Sequence, residues 1–96
     1  MLTGKQRSYL RSIANTIPTI LQVGKDGISE NLVRQLEDAL EARELVKGNV
    51  LKNSVMDARE ACEQLAGTVK AEIVQVIGNR FVLYRESAEN KVIQLP

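Results

Sequence analysis

The side chains of this 96-residue chain that could do chemistry are few, and Cys62 comes first. A reactive thiolate needs an electropositive neighbour, and without any histidine neither a Cys-His nor a Ser-His-Asp arrangement can be assembled. Cys62 falls in the apolar spacing Val55, Ala58, Ala61, Cys62, Leu65, Ala66, which makes it a small buried hydrophobe. A single cysteine excludes an internal disulfide, and the lack of histidine removes the ordinary zinc sites. Glu37, Asp38 and Glu41 could hold Mg²⁺ or exchange protons, but their helical spacing describes one solvated face. Gly24-Lys25-Asp26-Gly27 has the form of an anion-cradling turn before a helix. It lacks the Gly-Lys-Ser/Thr ending of a nucleotide loop, and Asp26 opposes a phosphate, so it reads as a structural turn. Gly78-Asn79-Arg80 is better placed, because a glycine turn exposes amides and Arg80, with Arg85 beyond it, offers bidentate guanidinium contacts to phosphate. No catalytic or metal site and no cofactor is expected from these residues.

A chain of this length makes one domain, burying roughly two thirds of the surface its unfolded form exposes. No stretch approaches the ~20 apolar residues of a membrane span, and the amino terminus has no signal-like apolar run, so no membrane is expected and the location is expected to be cytoplasmic. The 13 Lys plus Arg and 12 Asp plus Glu give a net charge of +1, which argues against a nucleic-acid partner until the charge is located. Residues 1–25 carry +4 and residues 26–44 carry −4; the next four segments, divided after residues 56, 72 and 85, carry +2, −2, +2 and −1. Near-neutrality is thus a cancellation, and a fold that gathers the positive segments on one side produces a strong local field.

The elements that would position these charges follow from pattern. Thr3-Gly4-Lys5-Gln6 is a capping box, and Leu10, Ile13, Ala14 and Ile17 continue a helix from about Gly4 to Thr16, where Pro18 disfavours continuation. Arg7 and Arg11 share one flank of its apolar stripe and Lys5 takes the other. Thr19 to Val23 is a short β-rich run ended by the glycine turn. Ser29 caps a second helix, with Ile28 and Val33 as a hydrophobic staple, Leu32, Leu36 and Leu40 inward, and Glu30, Glu37, Asp38 and Glu41 outward. Glu44 to Leu51 is a strand loosened by Gly48; Ser54 caps a third helix that Gly67 ends. Glu72–Ile77 and Arg80–Arg85 form a hairpin about Gly78-Asn79. The order αβαβαββ favours an α/β (α+β) domain: a four-stranded mixed sheet with three helices, residues 1–85, followed by a loosely attached polar tail, 86–96. With Tyr9, Phe81 and Tyr84 as the only aromatics, a base-stacking platform is not expected, and any RNA would be held by charge and shape.

Four blocks in order, Leu2 to Arg11, Val23 to Ile28, Ala39 to Lys47 and Val76 to Arg85, resemble the CRM domain in its single-domain bacterial YhbY-like form, across about residues 2–85. The resemblance implies a small RNA-binding domain similar in fold to the C-terminal domain of translation initiation factor three. It also implies association with rRNA or a large ribosomal subunit precursor, in ribosome assembly and without catalysis. Family members carry a Gly-x-x-Gly loop likened to that of KH domains; the hairpin supplies Gly78, with Phe81 where the second glycine would stand, and Arg43 replaces a frequent His. Carried over by position, the RNA surface comprises Lys5, Arg7, Arg11, Lys25, Lys47, Gly78, Asn79, Arg80 and Arg85. The acidic face of Glu37, Asp38 and Glu41 would then face a basic ribosomal protein; a protein-interaction adaptor using that face, with RNA incidental, is the alternative. A monomer is expected.

Overall fold

The computed structural model describes residues 2–96. Its elements are α1 (Gly4–Ala14), β1 (Leu21–Val23), α2 (Glu30–Arg43), β2 (Leu45–Val50), α3 (Ala58–Val69), β3 (Glu72–Ile77) and β4 (Arg80–Tyr84). The sheet order is β1-β2-β4-β3, with β1 and β2 parallel and the other pairs antiparallel. This is the expected αβαβαββ domain with a mixed four-stranded sheet.

Alternation along the strands divides the core in two. One face of the sheet packs Leu21, Val46, Phe81 and Leu83 against Leu32, Leu36 and Leu40 of α2 and Ala61, Cys62 and Leu65 of α3. The other packs Leu45, Val74, Val82 and Tyr84 against Leu10 and Ala14 of α1. α1, with Lys5, Arg7 and Arg11, therefore lies on the opposite side of the sheet from α2 and its acids, the separation that the segment charges imply.

Local chemistry explains most boundaries. The Thr3 capping box is complete, with Thr3 Oγ1 accepting from the Gln6 amide and Gln6 Oε1 from the Thr3 amide. Ser29 Oγ accepts from the Leu32 amide at the start of α2. At α3 the expectation needs correction. Asp57 is the cap, its Oδ1 accepting from the Glu60 amide at 2.8 Å, while Ser54 closes a turn with Met56 and Val55 lies outside the helix, 75% exposed. α3 also runs through Gly67 to Val69 and ends at Lys70, which adopts the left-handed conformation (φ 58°). α1 stops at Ala14, short of Thr16.

The tail differs from its expectation too. Glu44, fully buried and left-handed (φ 65°), ends α2, and its carboxylate accepts from the amides of Ser87 (2.7 Å), Val92 (2.8 Å) and Ile93 (2.8 Å). Ile93 and Leu95 pack on the α1-side core, and Gln6 Nε2 donates to the Pro96 carbonyl. Residues 86–96 are thus fastened along the domain: their few apolar side chains have a core to join, and a buried anion needs their amides.

Candidate nucleic-acid interface

Three loops meet at one end of the sheet. The Leu51 amide donates to the Val23 carbonyl and the Val50 amide to the Asn79 carbonyl, so the ends of β1 and β2 and the β3–β4 turn are held in line. The 24–27 turn closes by a Gly27 amide to Gly24 carbonyl bond of 3.0 Å and packs on the loop after β2, where a Cβ on Gly27 would lie 3.6 Å from Val55 Cγ2. Gly27 (φ 66°) and Gly78 (φ 58°) both hold left-handed conformations that glycine adopts without strain. Lys25, Lys52, Asn79 and Arg80 are all exposed at this end. Lys52, whose charge belongs to a positive segment, is absent from the sequence-derived site; only the loop packing reveals its place between the two glycine turns.

The nine candidates separate into three groups. Lys25, Gly78, Asn79 and Arg80 are brought together at the loop end. Arg80 leans to the α1 side, lining a pocket with Asn15 at the end of α1. Lys5, Arg7 and Arg11 stand on α1, whose start is fixed near the far end of the sheet by the Leu2 amide bond to Glu72 Oε1. Lys5, Arg7, Arg11, Lys25, Lys52 and Arg80 form no ion pair among the described residues and are available to an external anion.

Lys47 and Arg85 are engaged inside the fold. Lys47 Nζ donates to the Ala14 carbonyl at 3.0 Å, and Arg85 Nη1 donates to the Val69 carbonyl at 2.9 Å. Each cation satisfies a carbonyl at a helix carboxyl end, where the macrodipole is negative. Arg85→Ala and Lys47→Ala are accordingly expected to lower stability by about 1–2 kcal/mol each, read by thermal melting, while leaving the affinity of the folded protein for polyanions within twofold.

Two further candidates change meaning. Phe81, where the resemblance places a missing second glycine, is 1% exposed in the core, so the hairpin cannot be a Gly-x-x-Gly loop. That spacing is met in full by Gly24 and Gly27, at the turn leading into α2, and the sequence displays it openly. On α2, Glu37 and Asp38 are exposed, but Glu41 is drawn into the tail, accepting from the Ser87 hydroxyl and the Ala88 amide at 3.3–3.4 Å. The acidic triad is thereby split. Cys62 is fully buried, and burial pushes its thiol up to about 11, which removes it as a nucleophile near neutral pH.

The model of the CRS1 / YhbY (CRM) domain matches residues 2–85. A Bacillus subtilis protein named "Probable RNA-binding protein YqeI" is 50% identical over 96 residues, covering all of both chains. A Haemophilus influenzae protein named "RNA-binding protein" is 34% identical over 95 residues, covering 99% of this chain and 95% of its own. The solution structure of the hypothetical protein SAV1595 from Staphylococcus aureus superposes with a TM-score of 0.81 at 54% identity over the whole of both chains. With the family match running from Leu2 to Arg85, through both glycine turns and every basic candidate, the chain belongs to the CRS1 / YhbY (CRM) domain family.

Proposed function

We propose that this protein binds RNA without catalysis and acts in assembly of the large ribosomal subunit, holding a folded segment of precursor rRNA in the cytoplasm. The observation that carries the reading is the convergence of the Gly24–Gly27 turn, Lys52 and the Gly78-Asn79-Arg80 hairpin at one end of the sheet, with the acids of α2 on the face opposite α1. The names of the relatives support RNA as the ligand; the family resemblance supports the ribosomal precursor. The exposed glycine turn at Gly78 lets the phosphate backbone approach closely, Lys25, Lys52 and Arg80 neutralise it, and Lys5, Arg7 and Arg11 extend the track along α1. Asp26 and Glu30 beside the first turn oppose tight packing of phosphate there, so the lysines and Arg80 carry most of the attraction.

Affinity should therefore be electrostatic. With about five phosphates engaged, log K falls against log salt with a slope of roughly −3 to −4. Changing Lys25, Lys52 and Arg80 together to Glu is expected to weaken binding to purified rRNA at least tenfold, reduce that slope by about 2, and abolish co-sedimentation with large-subunit precursors without lowering the melting temperature. Reversing Glu37 and Asp38 serves as the opposite arm: RNA affinity holds or rises. If binding ignores salt, or if the acidic-face variant alone loses its cellular partner, the RNA reading gives way to an adaptor acting through α2.

A further inference from the structure

We propose that the groove between the end of α1 and the carboxyl-terminal tail docks an acidic, aliphatic segment of a partner protein, with Arg43 receiving its carboxylate. The inference goes beyond the RNA-binding reading and does not depend on it.

The groove lies on the α1 side at the start of β1 and β2, beside Ile20 and Leu45, whereas the glycine turns stand at the other end of those strands. Its volume is about 290 Å³. A cavity of about 150 Å³ accepts one benzene-sized ring, so this one has room for one or two aliphatic side chains. Ile13, Ile17 and Pro18 line it from the end of α1 and the chain that follows, and Val92 and Ile93 line it from the tail. Ile13, Ile17 and Ile93 are only half-buried, and Pro18, Ala42 and Val92 are exposed along the same groove. A contiguous apolar patch of this kind on a folded domain marks a docking surface.

The tail shows that the patch is held in shape. The Ile93 amide donates to Glu44 and its side chain turns into the α1-side core. The Val92 amide donates to the same carboxylate at 2.8 Å, yet its side chain is 62% exposed. A backbone anchored on a buried anion thus presents one apolar side chain to solvent at the lip of an apolar groove, where a partner's side chain gains by covering it.

Charge selects the occupant. Arg43 and Lys47 line the groove, and no acid lines it among the described residues. Lys47 Nζ is held by the Ala14 carbonyl, and the Glu44 carboxylate behind the tail is taken up by three amides. Arg43, exposed in the last turn of α2, forms no ion pair among the described residues. A guanidinium pairs with a carboxylate through two parallel hydrogen bonds, and Arg is enriched where protein surfaces meet. RNA fits less well, because one unengaged cation among aliphatic walls neutralises little of a phosphate backbone.

The test titrates Ala-rich helical peptides of about 15 residues into the full chain and follows its Ile and Val methyl signals by NMR. Each peptide carries Leu on two successive turns, with a Glu in one set and a Lys in the other beside the second Leu. The Glu peptide is expected to give saturable shifts at Ile13, Ile17, Val92 and Ile93, and to bind roughly tenfold more tightly than the Lys peptide. Arg43→Gln should bring the two peptides to equal affinity and Arg43→Glu should reverse their order, both with the remaining methyl signals unmoved. Val92→Ser, at an exposed position that keeps its amide on Glu44, should weaken both peptides at least threefold. Shifts confined to other surfaces, equal affinity of the two peptides for the wild type, or an order that survives Arg43→Glu overturns the proposal. So does octanoate binding as tightly as the Glu peptide, which would make the groove a site for a free aliphatic acid, or displacement of the peptide by an RNA hairpin, which would assign the groove to RNA.

Discussion

A Gly48→Ala variant is expected to melt roughly 10 °C below the wild type. Gly48 is buried in β2, directly across from Phe81 of β4, and a Cβ built there would sit 2.5 Å from Phe81 Cζ and 2.8 Å from Cε1. The ring is 1% exposed and cannot swing outward, while the Leu21 carbonyl oxygen, 3.2 Å from the same Cβ, blocks retreat of the β2 backbone towards β1. Overpacking of this kind costs about 1–3 kcal/mol, and for a domain near 100 residues each kcal/mol lowers the midpoint by about 4–8 °C. The flexible-backbone explanation of Gly48 makes a different prediction, since Ala for Gly in an unstrained strand is stabilising. A double-mutant cycle with Phe81→Leu decides between them. If the methyl collides with the ring, the shorter side chain relieves it, and the double variant loses clearly less stability than the two single variants added. Additive losses, or an unchanged melt for Gly48→Ala, would reject the contact. The consequence reaches the interface, because Phe81 follows Arg80 and a displaced ring moves the hairpin whose Asn79 carbonyl is held by the Val50 amide.

That pair of residues also shows what a sequence exposes and what it withholds. Gly48 reads locally as a weak point in a strand, and its partner is 33 residues away; no periodicity connects them. Features governed by neighbours along the chain were legible: the Thr3 capping box, the Ser29 cap, the Gly78-Asn79 turn and the apolar stripes that send α1 and α2 to opposite faces. Where two local signals competed, the outcome depended on packing. Ser54 and Asp57 are both good caps, and Asp57 prevails because Ala58 is the first residue of the segment that reaches the core, whereas Val55 points to solvent. Gly67 did not stop α3, since its position is open and Val69 beyond it is still needed in the core.

The candidate site was legible as charge but not as geometry. Lysine and arginine look alike on paper whether they face water or a helix end, so Lys47 and Arg85 could be told from Lys25 and Arg80 only by the carbonyls of Ala14 and Val69. Lys52 was visible as a charge, yet only the alignment of Leu51 with Val23 shows it between the glycine turns. The register slip that brings Gln75 to the α1 face has no sequence signal in a run as uniform as Glu72–Ile77.

The largest loss of all is expected at Glu44, where replacement by Gln or Ala should release residues 86–96 and lower stability by about 2–4 kcal/mol, the scale of losing several hydrogen bonds to a charged acceptor. Burial by itself would push this carboxyl up. The amides of Ser87, Ile93 and Val92, helped by the charge of Lys91, outweigh burial and hold it below the ordinary value of 4.5. Because the folded form has the lower pKa, the contribution is complete above the unfolded value, and it is lost as pH falls from about 4.5 through the folded value. Gln is a demanding control. The native carboxylate uses one oxygen for Ser87 and the other for Val92 and Ile93, so an amide must turn its NH₂ against at least one of these donors. Gly in the same place relieves the left-handed backbone (φ 65°) yet removes the anion, and it should release the tail equally if the carboxylate is what matters. Amide hydrogen exchange gives the direct readout: protection at Val92 and Ile93 should vanish in all three variants, and in the wild type only on acidification through the folded value, which lies below 4.5, while Leu36 and Leu40 in α2 stay protected. Protection that persists at Val92 and Ile93 in Glu44→Gln would mean that Ile93 and Leu95 hold the tail by burial alone. Since the same strap reaches α1 through Gln6 and the Pro96 carbonyl, its release also removes that hydrogen bond from the first turn of the helix that carries Lys5, Arg7 and Arg11, while Leu10 and Ala14 keep the helix on the sheet, and any loss of RNA affinity at acidic pH should follow release of the tail.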